Sequence, residues 1–445
     1  MMLPSCVPAT TWEDAGAVVD AKVMEEIIAD DDILGLGEFM DYPNVVAAQQ
    51  NVMDKILLAK KHNKIIDGHS PSLTGKELNA YAATRIKTDH ECETVQDMQE
   101  RMSRGMYAIL RQGSACHDLR VLLKGLTKEN SRRALLCTDD CQPKTILTLG
   151  HLDNHLRICV EEGIDPIMAI QMATVNAAEC YGLSDRGAIA PGLRADIVLF
   201  EDLKDFKVTH MFIEGKQQAS NGEYEGSVKK HDISSVFSKF AVKDFSKEKL
   251  KLKINSTKAY AIKIKTGGVV TEKVIVPVST DEDNLFIYEP SQDVVKIAVI
   301  ERHNNTGNVA VGLLAGYGMK KGAIAISISH DSHNIIAVGV NDDDMELAVK
   351  SLIAQHGGIV LVNDGKVIGE MPLVVAGIMS DRDGEWVSEK LTHLHDMAHS
   401  EFLISKDVEP IMTLCFMSLA VIPEIKITSR GIFDVTKFEF INIEA

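Results

Sequence analysis

Four apolar, strand-like runs in the first third of this 445-residue chain each end on a side chain able to bind a metal ion. Ile33-Leu34-Gly35-Leu36-Gly37 ends on Glu38, and the run from Lys64 to Gly68 ends on His69. Arg85 to Asp89 ends on His90, and Ala134 to Thr138 ends on Asp139. Segments of helical apolar period separate the runs, which implies parallel pairing through right-handed crossovers. In a (β/α)₈ barrel the reactive groups come from the C-terminal ends of several different strands. The pattern therefore predicts an α/β chain, TIM-barrel-like in its first part, with a metal site at the strand ends. Six strands are expected, at 2–7, 33–37, 64–68, 85–89, 106–110 and 134–138. A closed barrel of this kind has eight, so the barrel is read as incomplete.

Between the strands, residues 11–31 and 44–62 each read as one amphipathic helix. Thr74 with Glu77 three residues on forms a capping-box pattern for a helix through Ala83, and Thr94 starts another. Asp165-Pro166 opens a helix that closes near Gly182. Pro191-Gly192 and Glu214-Gly215 punctuate apolar runs and suggest a small β-structure beside the barrel. From about residue 226 the character changes. Lys249 to Lys253 and Tyr260 to Lys265 read as amphipathic strands, Asp342 to His356 as a helix, and Asp364-Gly365 as a hairpin turn. The division expected is a partial barrel over 1–185, a small β-sandwich segment over 186–225 and an α+β domain over 226–445.

A formal net charge of -17 argues against a nucleic-acid backbone as the main partner, since phosphate binding needs clustered Lys and Arg. The longest apolar run, Ile411 to Ile422, is short of the roughly 18 residues a membrane helix needs. Eight irregularly spaced cysteines read as free thiols of a reducing compartment, and with no signal peptide the expected location is the cytoplasm. Cys137 and Cys141 flank Thr-Asp-Asp as a lone pair and read as small residues beside a strand end, not as a zinc knuckle.

Imidazole together with carboxylate suits divalent ions such as zinc, manganese or iron. Such ions activate water and polarise a substrate, and an aspartate at the mouth can move the proton. Glu38, His69, His90 and Asp139 fit those roles. Other histidines read differently. His151 and His155 have the i, i+4 spacing of a helical zinc pair but lack the glutamate of H-E-x-x-H, so a solvated helix face is expected. His393, His395 and His399 fall on an amphipathic helix as surface or satisfied side chains. His330-Asp331-Ser332-His333-Asn334 reads equally as a compact polar loop or as part of a pocket.

GLGEFMDYPNV, DGHSPSLTGKELNAY, KTDHECET, RRALLCTDD and MATVNAAECYGLSDRGAIAPGLRADIVLF closely resemble the adenine deaminases of the amidohydrolase superfamily. The tail segments KKGAIAISISHDSHNIIAVG and RGIFDVTKFEF resemble that family's C-terminal domain. The resemblance implies a metallo-dependent hydrolase that deaminates adenine to hypoxanthine and ammonia in purine salvage. It implies a small-molecule substrate and manganese, or another divalent ion such as iron or zinc, in a binuclear site; homo-oligomerisation is left open. Carried over, Glu38 would bridge the ions, His69 and His90 would be ligands, Asp139 would bind metal and shuttle the proton, and Glu91 would sit near the purine. Family members begin with a segment carrying two barrel strands and a His-x-His motif, whereas the one His-x-His here is His393-Leu394-His395. The expectation is a truncated or mis-started chain, or one whose missing piece comes from elsewhere, with one weakened metal site and exposed sheet edges. A purine-binding remnant without activity, or a hydrolase of another cyclic amide or amidine, are the alternatives.

Overall fold

The computed structural model describes residues 1–266 and 268–445. Contacts divide them into two compact units, one of Met1–Cys6 with Val19–His231 and one of Val7–Val18 with Asp232–Ala445.

The first unit runs β1 (Met2–Leu3), α1 (Ala21–Glu25), β2 (Gly35–Phe39), α2 (Tyr42–Val46), α3 (Gln50–Lys61), β3 (Ile65–Gly68), α4 (Gly75–Ala83), β4 (Thr88–Asp89), α5 (Val95–Ser103), β5 (Tyr107–Arg111), α6 (Leu119–Leu122) and β6 (Ala134–Cys137). A strand overlaps each of the six expected spans, although those expected over 2–7 and 85–89 shrink to two residues each. The six pair in parallel as β1-β2-β3 and β4-β5-β6. The Lys87 N–H donates to the Ile66 carbonyl at 2.9 Å and carries the order across from β3 to β4. A barrel-type arc of sequential parallel strands with helices between them results. Gly68 is required for the close approach, because a Cβ there would lie 2.2 Å from the Thr88 carbonyl oxygen.

Helices α7 (Pro143–Leu149), α8 (Leu152–Glu161), α9 (Pro166–Ala173) and α10 (Val175–Tyr181) follow. Leu156, Cys159, Ala169 and Met172 from these helices pack with Ala108, Leu110, Ala134 and Leu136 of the strands in one buried cluster. The small β-structure is a four-stranded antiparallel sheet built from Ile197–Phe200, Val208–Ile213, Lys216–Ser220 and Glu223–Tyr224.

Several local expectations differ from the structure. The helix expected over 44–62 is two, α2 and α3, interrupted at Ala48, whose φ of 52° no α-helix contains. Similarly, Thr174, at φ -129°, divides the 166–181 helix. Thr74 is the N-cap of α4 but makes no side-chain cap bond; the Gly75 N–H points to Glu100 Oε2 at 3.5 Å. The reciprocal capping box forms instead at Thr94 and Asp97.

The second unit holds an eight-stranded sheet ordered Thr271–Pro277, Lys258–Ile264, Val309–Ala315, Val294–Ile300, Ile335–Gly339, Ala323–Ile326, Gly358–Asn363, Lys366–Pro372. Helix Asp342–Ala354 buries Met345, Ala348, Val349 and Leu352 against its apolar face. Asp364 and Gly365 both have positive φ, as a two-residue hairpin turn with this twist needs. Lys247–Leu250 is a short 3₁₀ turn and not the start of a strand. Residues 11–18, read as the start of a helix, contain none. Trp12 lies on Phe433 with ring centroids 4.8 Å apart, and the Glu13 carboxylate accepts from Thr10 at 2.9 Å and Ser332 at 2.6 Å. Arg430 clasps Asp14 Oδ1 through Nε at 2.9 Å and Nη2 at 2.7 Å. Buried acidic side chains paired this way hold the segment extended, where helical periodicity alone cannot see them. Among the described residues no helix is long and apolar enough to cross a membrane.

Candidate metal centre at the strand ends

The sites expected on separate strands meet at one end of the arc. Between β2 and β3 the pairing register shifts from Leu36 to Phe39, an irregularity that contains Glu38. Such bulges re-aim a side chain off the ladder. His69 follows β3 directly, and its main chain is fixed by Tyr81. The His69 N–H donates to the Tyr81 hydroxyl at 2.9 Å, and that hydroxyl donates to the Phe39 carbonyl at 3.0 Å. His90 and Glu91 follow β4. Asp139 lies two residues beyond β6 at φ 56°, with its Oδ2 accepting the Asp140 N–H at 2.7 Å.

Glu38 Oε2 lies 3.4 Å from His69 Nδ1 and 3.0 Å from His90 Nε2. Glu91 Oε1 is 3.5 Å and 3.3 Å from the same two nitrogens, and Asp139 Oδ1 is 3.6 Å from His90 Nε2. Donor atoms of Glu38, His69 and His90, and again of His90, Glu91 and Asp139, lie within 4.8 Å of one another. All the residues singled out for the site, Glu38, His69, His90, Glu91 and Asp139, are therefore neighbours. Nitrogen and carboxylate oxygen in this mixture are donors for manganese, iron or zinc. The two groups share His90, so the set fits a divalent centre. A pocket of about 350 Å³, lined in part by Glu38, Asp67, His90, Asp139 and Asp140, opens beside it.

The electrostatics follow from three carboxylates crowding two imidazoles. Burial opposes ionisation of Glu38, but hydrogen bonds from His69 and His90 outweigh it and hold the carboxyl well below its ordinary range. Burial disfavours a charge on His90, yet the hydrogen bond to Glu38 and the charges of Glu38, Glu91 and Asp139 push it up to about 10. Three carboxylates around two imidazoles give the cage a donor set suited to a cation.

Behind the cage stands a residue that the strand-end pattern did not mark. Arg111, the last residue of β5 and almost wholly buried, places Nη1 2.5 Å from Glu91 Oε1 and 3.7 Å from Asp139 Oδ1. Its Nη2 pairs with Asp118 at 2.9 Å. Burial raises the Glu91 carboxyl, but the charges of the Arg111 guanidinium and of His69 and His90 together outweigh this and keep it low. A second buried pair braces both histidines. Arg101 Nε donates to Asp89 Oδ2 at 2.9 Å, and Arg101 Nη2 to the Ser70 carbonyl at 2.6 Å, one residue from His90 and His69 respectively. An arginine closing an apolar strand, as in YAILR, is the signal that could have found Arg111.

Of the other histidines singled out, His151 and His393 are exposed, and His155, His330, His395 and His399 make contacts within the fold. His155 is buried and not on a solvated face: its Nε2 lies 2.7 Å from the Cys137 carbonyl, because α8 packs over the end of β6. His395 pairs with Glu409 at 2.8 Å, and His399 Nδ1 lies 3.0 Å from the Ile404 carbonyl. In the second unit the 330–334 loop is a packed polar turn. Ser332 bonds Glu13, Asn334 bonds the Asp14 carbonyl at 2.7 Å, and the His330 ring lies 4.6 Å from that of Phe416. The cysteines are free thiols among the described residues.

Residues 1–217 match the amidohydrolase family, and residues 268–439 match the adenine deaminase C-terminal domain. The chain is 63% identical over 445 residues to adenine deaminase 2 of Desulfotalea psychrophila, covering 100% of this chain and 77% of that protein. It is 51% identical over 443 residues to adenine deaminase of Ligilactobacillus salivarius, again covering 100% and 77%. Against adenine deaminase of Clostridium acetobutylicum the identity is 43% over 441 residues, covering 99% and 77%. With a strand-end cage of histidines and carboxylates and identity of this level along its length, the chain belongs to the adenine deaminase family of metal-dependent amidohydrolases.

Proposed function

We propose that this chain hydrolyses adenine to hypoxanthine and ammonia, a step of cytoplasmic purine salvage, with manganese, or iron or zinc in its place, held by Glu38, His69, His90 and Asp139. Held by those residues, a divalent cation would supply the Lewis acidity that lowers the pKa of water. The protein groups do the rest. Asp139 takes the proton of the attacking water and returns it to the departing amine, which then leaves as ammonia. Glu91, kept ionised by Arg111, offers an acceptor to a ring N–H and orients the purine. Asp67, which lines the same pocket, is held by hydrogen bonds from Thr88 at 2.9 Å and Tyr181 at 3.2 Å.

The observation that carries this reading is the convergence of the five side chains, within a chain 63% identical to an adenine deaminase. Asp139→Asn keeps the shape of the side chain but removes the base. It should abolish the ultraviolet change that accompanies adenine loss while leaving the circular dichroism spectrum intact. Near-normal turnover in that variant would take Asp139 out of the mechanism.

A further inference from the structure

At the opposite, N-terminal ends of the strands the first unit has a second cavity, about 500 Å³ in volume. Lys60, Lys64, Arg85 and Lys87 line it, and no carboxylate does. In a chain of net charge -17 that is a local inversion of sign. None of the four forms an ion pair among the described residues, whereas the neighbouring Lys61 pairs with Glu25 at 3.2 Å.

Two of the cations are held in place by neutral groups. Lys64 Nζ donates to the carbonyls of Asp30 at 2.8 Å and Ile33 at 2.5 Å. The acidic run Asp30–Asp32 thus turns a main-chain oxygen, not a carboxylate, toward this ammonium. Lys87 Nζ donates to the Cys180 carbonyl at the end of α10 and lies 5.7 Å from the centroid of the Tyr107 ring. Arg133 stacks over the same ring at 4.6 Å. Carbonyls and an aromatic face fix the charges without neutralising them, and an ammonium has three donors to satisfy.

We propose that this cavity binds a phosphate-bearing small molecule. Four cations around one cleft supply the charge-assisted donors that phosphate oxygens take. The volume falls within the range of small-ligand sites and is far larger than a bare phosphate needs, so a phosphate ester of sugar or nucleotide size fits it best. The site lies at the end of the strands away from the metal cage, and its occupant need not be a substrate.

Titration calorimetry at constant ionic strength tests this with ribose 5-phosphate, inorganic phosphate and ribose as probes, since screening weakens all exposed charges alike. The full chain is compared with Lys60→Gln/Arg85→Asn. Neither side chain is buried, and asparagine tolerates the φ of 67° at Arg85. Ribose 5-phosphate should bind at least tenfold more tightly than ribose, and the double variant should lose at least tenfold of that affinity while turning over adenine as before. Inorganic phosphate matching the ester would show that the phosphate group alone is recognised. A phosphate ester bound no better than ribose, or bound equally well by the variant, overturns the proposal.

Discussion

Replacing Arg101 by methionine should destabilise the first unit by about 3–5 kcal/mol, the usual result of stripping one partner from a buried ion pair. The Asp89 and Arg101 side chains are both 0% exposed, so water cannot take over the lost contact. Asp89 would keep the N–H groups of Ser70, at 3.2 Å, and Glu91, at 3.0 Å, but lose its guanidinium partner. Against roughly 5–15 kcal/mol for a whole domain, the loss is large. With a urea slope of about 2 kcal/mol per molar, a 4 kcal/mol change moves the midpoint by about 2 M. The assay can separate the units, because Trp12 and Trp386, the two tryptophans of the chain, both belong to the second unit. Far-ultraviolet circular dichroism should therefore show an early transition about 2 M lower while the tryptophan-fluorescence transition stays in place. Adding Asp89→Asn to the same chain should recover at least half of the loss, because both charges are then gone. A midpoint shift under about 0.5 M, or a double variant no better than the single, would refute the reasoning.

Two further outcomes follow from the buried charges. Arg111→Met should lower adenine turnover near neutral pH by about 10²-fold. It should also move the pH–rate profile upward, because Glu91 without its guanidinium ionises only at higher pH; an unmoved profile would separate Arg111 from Glu91. Lys426 is fully buried in Ile425–Thr428, and burial pushes its ammonium down to about 7. Between that value and its unfolded pKa the unfolded chain binds the extra proton. Stability of the second unit should therefore rise with pH by up to about 1.4 kcal/mol per pH unit from about 7 to 10.5. Lys426→Met should flatten that slope in denaturation curves at several pH values, and an unchanged slope would count against the assignment.

The strand order of the first unit was readable because parallel, buried strands write short apolar runs between amphipathic helices, and each site residue simply closes its run. Glu38, His69, His90 and Asp139 were visible for that reason. What the runs could not show is pairing across the fold. Arg101 looks like one more cation on a helix until Asp89 is found beside it, and Arg111 looks like the end of a strand. Neither the helical start read into residues 11–18 nor the solvated face assigned to His155 survived, for a common cause. Glu13 and Asp14 are satisfied by Ser332 and Arg430, and His155 by the Cys137 carbonyl, partners distant in sequence that no local period encodes. The break between α2 and α3 likewise lies in the positive φ of Ala48 and the extended Gln49, with no glycine or proline at either position to announce it.

The central claim is that one cation-holding cage formed by residues 38, 69, 90 and 139 makes this chain a deaminase. Its most direct test measures bound manganese and adenine consumption in the same samples, after chelation and stepwise return of the ion, for the unaltered chain and for His90→Asn. The account predicts no turnover in the stripped protein, recovery in proportion to bound manganese, and loss of both in the variant. Full turnover without metal, or undiminished metal binding by His90→Asn, would contradict it.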